Sequence, residues 1–170
     1  VSETSAVAVD ARFILADIEP SAVSDDIEDP CALFKPLFAP DSIAVVGASS
    51  TNVSIGNTFI DRLKESGYPG AIYPIHPSAE MVSGHKAYPS LADTPTPVDY
   101  AYIAVAANRI PPMLRAAKGR VRFAQVISAG FGEVDEGKGL QDELVAAGRA
   151  GGCRVIGPNC LGLHTPRGRV

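Results

Sequence analysis

The chain has 170 residues, of which 46% are hydrophobic, so it is long and apolar enough for one domain with a packed core. No apolar run approaches the ~20 residues of a membrane span, and the N-terminus lacks the basic head and apolar stretch of a signal peptide. Three cysteines are too few and too unevenly spaced for a disulfide framework or a zinc site, and we expect free thiols in a reducing cytoplasm. No basic block with interleaved aromatic residues indicates a nucleic-acid partner.

Acidic residues are concentrated at the start of the chain. Residues 1–30 contain eight acids and one base, Arg12, whereas residues 31–170 contain fourteen bases and eleven acids. We therefore predict an acidic N-terminal extension over residues 1–30 and a mildly basic folded domain over residues 31–170, which tolerates an anionic ligand without requiring one. An ordered extension needs a docking surface, and a second copy of the chain, giving a homodimer, is one alternative.

Five short apolar runs are typical of strands that are buried on both faces of a sheet. In chain order they are residues 42–48, 71–77, 99–107, the first part of 122–132, and 153–162, the last two ending in a loop and a turn.

Three amphipathic helices are predicted between these strands. The first covers residues 56–67 and the last covers residues 139–152. The middle helix follows Asn108, its predicted N-cap, and has Pro111 and Pro112 in its first turn. The apolar residues predicted to face the core are Phe59, Ile60 and Leu63 in the first helix, and Leu140, Leu144 and Val145 in the last.

This alternation indicates the α/β class, with a Rossmann-like, doubly wound, mainly parallel sheet and helices on both faces. Right-handed crossovers leave few strand orders, and the dinucleotide-binding order is the expected one. In such a sheet, ligands bind beyond the carboxyl ends of the strands. These ends are all small, polar or rich in Gly and Pro, which predicts a long groove; they read "GASS", "IHPS", "VAAN", "SAGFG" and "GPNCLG".

The loop after the first strand is the strongest candidate for an anion site. It leads into a helix N-terminus, whose free N–H groups and dipole favour an anion, and Ser49 and Ser50 add hydroxyl donors. A plain structural turn is the alternative. We assign no catalytic or metal-binding residue. The candidate binding residues along the groove are Gly47, Ser49, Ser50, Gly56, Asn57, His76, Pro77, Ala106, Ala107, Asn108, Ser128, Ala129, Gly130, Phe131 and Asn159.

Two features argue against a nicotinamide dinucleotide. Gly47 and Gly56 are too far apart for the Gly-x-Gly-x-x-Gly fingerprint. The end of the second strand, residues 75–78, has neither the acid that binds the ribose of NAD nor a nearby arginine for the phosphate of NADP. An NAD(P)-binding domain is therefore the less favoured alternative.

Several longer segments carry a family resemblance between about residues 33 and 163. They are "LFAPDSIAVVGAS", "YPGAIYPIHPSAEMVSGHKAYPSL", "VDYAYIAVAA", "VISAGFGE" and "GPNCLGL", in this order. Together they resemble the N-terminal CoA-binding domain of the NDP-forming acyl-CoA synthetases, a group that includes ADP-forming acetyl-CoA synthetases and is related to succinyl-CoA synthetase alpha subunits.

The resemblance implies a domain that binds coenzyme A or acyl-CoA. Its phosphates would lie at residues 49–57, and its pantetheine arm would follow residues 105–108 and 128–131. In the family, a phosphohistidine domain and an ATP-grasp domain complete the ligase, so both are implied partners, in cis or in trans. The chain is then expected to be one part of a larger acid–thiol ligase that positions the CoA thiol and is not catalytic alone. A stand-alone CoA-sensing or regulatory module is the alternative.

One departure from the family concerns the end of the second strand. The family often has Asn-Pro-Lys there, with the lysine near a CoA phosphate, whereas this chain has His76, Pro77 and Ser78. His76 is expected to replace the lysine charge in part when it is protonated. Elsewhere, Cys160 and His164 are not expected to form a nucleophile–base pair, although they lie close together in the sequence. His85 and Lys86 are expected in a solvent-exposed connector.

Overall fold

The computed structural model describes residues 29–170, so the predicted acidic extension lies outside the described residues except for its last two positions. The helices of the described part are α1 (Pro30–Phe38), α2 (Ile55–Glu65), α3 (Ile110–Ala117) and α4 (Lys138–Ala150). Its strands are β1 (Ser42–Val46), β2 (Ala71–Ile75), β3 (Met81–Val82), β4 (His85–Lys86), β5 (Val98–Ile103), β6 (Val121–Val126) and β7 (Arg154–Ile156). Short 3₁₀ turns occur at Leu91–Asp93, Ala107–Arg109 and Asp135–Gly137.

Five strands form one parallel sheet in the order β2-β1-β5-β6-β7. The central strand β1 ends at Val46, which lies beside Ile75 of β2 on one side and Ile103 of β5 on the other. Tyr88 adds a single parallel bridge to Ile75 at the outer edge of β2, where the third strand of the dinucleotide-binding order would lie. The predicted Rossmann-like parallel sheet is confirmed, with this third strand reduced to one residue.

Helices cover both faces of the sheet, as predicted. Side chains alternate along β1, so Ile43 and Val45 pack into the apolar cluster that includes α2, while Ala44 and Val46 pack into the cluster that includes α3. All five residues of β1 are buried, as expected for a parallel strand at the centre of a doubly wound sheet. The chain therefore changes face between β1 and β5, and this switch point determines where a crevice opens.

Helix α1 was not predicted from the sequence, because two prolines within nine residues resemble a broken segment. The structure shows that Pro30 occupies the first turn, where no N–H group is needed, and that Asp29 accepts a hydrogen bond from the Cys31 N–H at 3.0 Å. Leu37 is buried against the sheet, which explains why this short helix is retained.

Two helix details differ from the predictions. Asn108 is not an N-cap, because it lies inside the 3₁₀ turn Ala107–Arg109 and its side chain makes no capping hydrogen bond. Val145 is 45% exposed rather than buried, because the inner face of α4 is formed by Leu144, Ala147 and Gly148. Gly148 lets α4 approach Val155 of β7 closely, and Val145 lies away from the core.

None of the helices within residues 29–170 combines the length and the apolar character that crossing a lipid bilayer requires.

Leu114 tests the packing between α3 and the sheet. It is fully buried, so Leu114→Ala should lower the free energy of unfolding by about 2–5 kcal/mol through lost burial and a residual cavity. Urea denaturation followed by circular dichroism measures this change. The matched control is the exposed neighbour Arg115→Ala, which should stay within about 0.5 kcal/mol of the parent. Equal stability of L114A and R115A would contradict the described packing.

Candidate functional site

The loop between β1 and α2 is folded around Ser49. The Ser49 hydroxyl oxygen accepts hydrogen bonds from the N–H groups of Thr51 at 3.2 Å and Asn52 at 3.1 Å. The Ser49 and Thr51 hydroxyls also lie within hydrogen-bond distance of each other, at 3.4 Å. Ser50 is exposed at the tip of the same loop. The loop therefore has a fixed shape and presents a hydroxyl donor close to the N-terminus of α2.

Asn57 holds this loop in place from the first turn of α2. Its side-chain oxygen accepts from the N–H groups of Ser49 at 2.8 Å and Ser54 at 3.1 Å. Its amide group donates to the Ser49 carbonyl and to the Ser83 hydroxyl, both at 2.9 Å. Because all its donors and acceptors are engaged and it is only 8% exposed, Asn57 shapes the loop rather than offering a free contact to a ligand.

Two glycines allow the loop to approach its neighbours closely. A Cβ atom at Gly56 would lie 2.6 Å from the Ala48 nitrogen, so only glycine lets the start of α2 rest against the end of β1. Gly47 has a φ of +101°, and a Cβ atom there would lie 2.2 Å from the Ala104 carbonyl oxygen. Both positions therefore require glycine for the fold of the loop, and their contact with a ligand stays a prediction.

A cleft of about 510 Å³ opens beside this loop, where the connections that follow β1 and β5 lead to opposite faces of the sheet. We call it the switch-point cleft. Four predicted residues line it together, namely Gly47, Ser49, His76 and Pro77. Its other walls are residues 89–92, Val105, Arg109 and the face of α3 that carries Met113, Ala116 and Ala117.

His76 is fixed in orientation by the loop that follows it. Its Nδ1 atom accepts hydrogen bonds from the N–H groups of Ala79 at 2.9 Å and Ser78 at 3.3 Å. The ring lines the cleft with Pro77 beside it, and its contribution to binding a phosphate stays a prediction.

Arg109 was missed because it follows the third long strand, far from the second strand in sequence. The expectation that no arginine lies near the end of the second strand is wrong in three dimensions, since Arg109 and His76 line the same cleft. Its predicted neighbours Ala106, Ala107 and Asn108 form the turn before α3 rather than the cleft wall. The signal in the sequence was a basic residue directly after the run "VAAN".

The loop after β6 carries the predicted residues Ser128, Ala129, Gly130 and Phe131. The Ser128 hydroxyl donates to the carbonyl of Val105, which ties this loop to the end of β5. Phe131 is fully buried in the core cluster around α3 and α4, so only its backbone faces the rim. Ala129 is exposed on the rim.

Glu133 fixes the same loop from outside the predicted set. Its carboxylate accepts from the N–H groups of Gly130 and Phe131, the latter at 3.0 Å. These backbone hydrogen bonds, that of Gly130 first, lower the pKa of the Glu133 carboxyl group. The two amides are therefore occupied, and this stretch has fewer free donors than the sequence suggested.

A buried polar network holds the last rim loop, residues 157–162. Gln125 of β6 has no exposed surface; its amide donates to the Cys160 carbonyl at 3.2 Å, and the Tyr100 hydroxyl donates to its side-chain oxygen. Burial raises the pKa of Tyr100, so this hydroxyl stays protonated. The Asn159 N–H donates to the Ser128 carbonyl at 3.2 Å, which joins two predicted site residues.

Other candidate side chains lie apart from the cleft. Cys160 approaches Gln125 rather than His164, and His164 is exposed on the opposite side of the sheet beside α1. Lys86 is exposed as expected, but His85 is half-buried, and burial followed by the charge of Lys64 lowers its pKa. Residues 29–170 contain no cluster of His, Cys, Asp and Glu suited to a metal ion.

Asn57 gives a direct test of how the loop is held. Asn57→Ala should lower the free energy of unfolding by about 1–3 kcal/mol, because buried N–H and carbonyl groups of the loop lose their partners. Urea denaturation measures the loss. The control is Asn52→Ala, since the exposed Asn52 side chain donates only to Thr51 and its removal should cost less than about 0.5 kcal/mol. If both variants were equally stable, the bracing role of Asn57 would be wrong.

Comparison with known proteins agrees with this geometry. The sequence profile of a family described as "CoA binding domain" matches residues 41–166. An Archaeoglobus fulgidus protein described as acetate–CoA ligase [ADP-forming] II is 37% identical over all of this chain and 25% of its own length. A Pyrococcus furiosus protein described as acetate–CoA ligase [ADP-forming] I subunit alpha is 41% identical over 76% of this chain and 30% of its own length.

A solved structure gives the same result. The apo form of acetyl-coenzyme A synthetase 1 from Ca. Korarchaeum cryptofilum superposes with a TM-score of 0.76 at 38% identity, over 81% of this chain and 30% of the other. The chain thus spans about a quarter to a third of the length of these relatives. In sequence and in fold, the chain belongs to the CoA-binding domain family and is homologous to the N-terminal parts of NDP-forming acyl-CoA synthetases.

Proposed function

We propose that this chain binds coenzyme A in the switch-point cleft and positions its thiol for acyl transfer in an NDP-forming acyl-CoA synthetase. One observation carries the proposal: a hydrogen-bonded loop that carries the Ser49 hydroxyl, at a helix N-terminus, opens into a cleft that has no carboxylate among its described lining residues. Such a loop suits the diphosphate of a nucleotide, and family membership identifies that nucleotide as coenzyme A.

The path of the ligand follows from the order of the loops. With the diphosphate beside Gly47 and Ser49, the adenosine lies toward the end of β2, as the strand order requires. The pantetheine arm then runs in the opposite direction, over the ends of β5 and β6. There it meets small side chains and backbone groups, among them Ser128, Ala129 and Asn159, which suit a neutral, hydrogen-bonding chain.

The chemical contribution of the domain is positioning. In the intact enzyme, the CoA sulfur attacks the carbonyl carbon of an acyl phosphate and forms a carbon–sulfur bond. The bond from that carbon to the phosphate oxygen breaks, and the phosphate leaves with the proton that the thiol has lost. Fixing the thiol converts an encounter between free molecules into a step within one complex, which is a large part of many enzymatic rate enhancements. We assign no catalytic residue to this domain, and by itself it should bind without turnover.

Further domains complete the proposed ligase. We expect a phosphohistidine domain and an ATP-grasp domain, because the matched region is only 25% of the Archaeoglobus protein and 30% of the Pyrococcus subunit. The first relative is described as a single ligase and the second as an alpha subunit, so the partners can lie in cis or in trans. A homodimer stays a prediction.

The free thiols of Cys31, Cys153 and Cys160 support the proposed reducing, cytoplasmic setting.

Calorimetry with coenzyme A and NAD tests the proposal, with Ser49→Asp as the variant. An aspartate can accept the same two loop N–H bonds as Ser49, so the fold should persist, but its charge repels the diphosphate. We expect saturable binding of coenzyme A, none of NAD, and a loss of CoA affinity of at least about tenfold in S49D, equivalent to about 1.4 kcal/mol.

The matched control is Asn52→Asp, which adds the same charge to the same loop at a residue that does not line the cleft. It should change CoA affinity by less than about threefold, since an exposed charge outside the cleft is screened. Undiminished CoA binding by S49D, or saturable binding of NAD, would overturn the proposed site.

A further inference from the structure

Arg109 is the only side chain with a permanent charge among the residues of the described chain that line the switch-point cleft, and no Asp or Glu accompanies it there. Its position is well defined. The Arg109 N–H donates to the Ala106 carbonyl at 2.9 Å, which closes a 3₁₀ turn, and α3 begins at the next residue. Met113 continues the same helical face along the cleft wall one turn later.

Within residues 29–170, no carboxylate forms a salt bridge or hydrogen bond with the Arg109 guanidinium. Two other arginines of this part are engaged: Arg62 pairs with Glu65, and Arg122 lies 3.4 Å from Asp99. Arg109 is exposed and lines the cleft, and its guanidinium makes no hydrogen bond to another residue of the described range 29–170. A guanidinium in this position suits a phosphate, which it can contact through two parallel N–H groups.

The end of β2 indicates which phosphate this is. In sheets of this strand order, the residue at the end of the second strand meets the ribose, with an acid where the ribose is unmodified and an arginine nearby where it carries a phosphate. Here the end of β2 has no acid, and the Nδ1 atom of His76 is occupied by the Ala79 N–H. Arg109, the residue before α3, brings a permanent positive charge to the cleft that His76 also lines.

We propose that Arg109 binds the phosphate on the ribose of coenzyme A, its 3′-phosphate, and thereby selects coenzyme A over dephospho-CoA. This inference rests on the proposed function and adds a second anion site to it. The loop around Ser49 holds the diphosphate through backbone and hydroxyl groups, and Arg109 holds the ribose phosphate through a full charge. The lysine that the family often carries after its second strand is replaced by a residue from a different element.

The experiment is a calorimetric titration of four proteins with two ligands at fixed ionic strength. The proteins are the parent chain, Arg109→Ala, Arg109→Lys and the control Arg115→Ala, whose arginine is exposed on the same helix outside the cleft. The ligands are coenzyme A and dephospho-CoA. Thermal unfolding followed by circular dichroism verifies that each variant is folded.

We expect R109A to weaken binding of coenzyme A about 10- to 100-fold and to leave binding of dephospho-CoA unchanged, so that the two affinities become similar. R109K should retain part of the preference, because a lysine keeps the charge but not the paired donors. R115A should bind both ligands as the parent does. Adenosine 3′,5′-bisphosphate should compete with coenzyme A in the parent and compete poorly in R109A.

Other outcomes would overturn the inference, and they can be distinguished from a failure of the proposed function. An equal loss of both affinities in R109A would place the arginine at the diphosphate or give it a packing role. A parent chain that binds coenzyme A and dephospho-CoA equally well would mean that the ribose phosphate is not recognised. In both cases coenzyme A binding stands. If the parent binds neither ligand, the proposed function itself fails.

Discussion

The shape of the candidate site depends on the hydrogen bonds of one buried amide, that of Asn57. It connects the end of β1, the N-cap of α2 and the hairpin of β3 and β4 through Ser49, Ser54 and Ser83. Without it, the loop that follows β1 would have to satisfy these backbone groups with water and would adopt many conformations. With it, the loop presents the Ser49 hydroxyl and the helix N-terminus in a single arrangement, which is the preorganisation that the proposed phosphate site requires.

The same principle recurs along the rest of the rim. Each loop is tied to a neighbour by a short polar contact: Ser128 to the carbonyl of Val105, Asn159 to the carbonyl of Ser128, and Gln125 to Cys160. Such contacts are strong where water is excluded, and Gln125 has no exposed surface at all. The groove is thus built as a chain of fixed loops on a rigid sheet, which suits a long ligand that must deliver its far end accurately.

The parts of the fold that follow from local patterns were predictable. The run of residues 42–48 and the apolar face of α2 each contain their own signal, and the alternation of such runs determines a parallel sheet. Helix α1 and the position of Val145 were not predictable in this way, because they depend on tertiary packing, of Leu37 against the sheet and of Gly148 against Val155 of β7. In the site, the strand–loop–helix pattern of the β1–α2 loop is a local signal, and its predicted role stays a prediction. The hydrogen bonds that orient His76 and the presence of Arg109 in the same cleft could not be predicted, since both depend on the folded chain.

The position of Arg109 in the fold affects how a phosphate would be recognised. A lysine on the loop after the second strand carries a point charge on a flexible stem, so it attracts any nearby phosphate and selects weakly by direction. Arg109 instead starts from a closed turn at the beginning of a helix that has Pro111 and the buried Leu114 behind it, so its stem leaves from a fixed point. A planar guanidinium from a fixed point discriminates by geometry as well as by charge. The chain therefore lacks the lysine of its family without lacking a means to recognise a phosphorylated ribose, and among the described residues that line the switch-point cleft this means is Arg109.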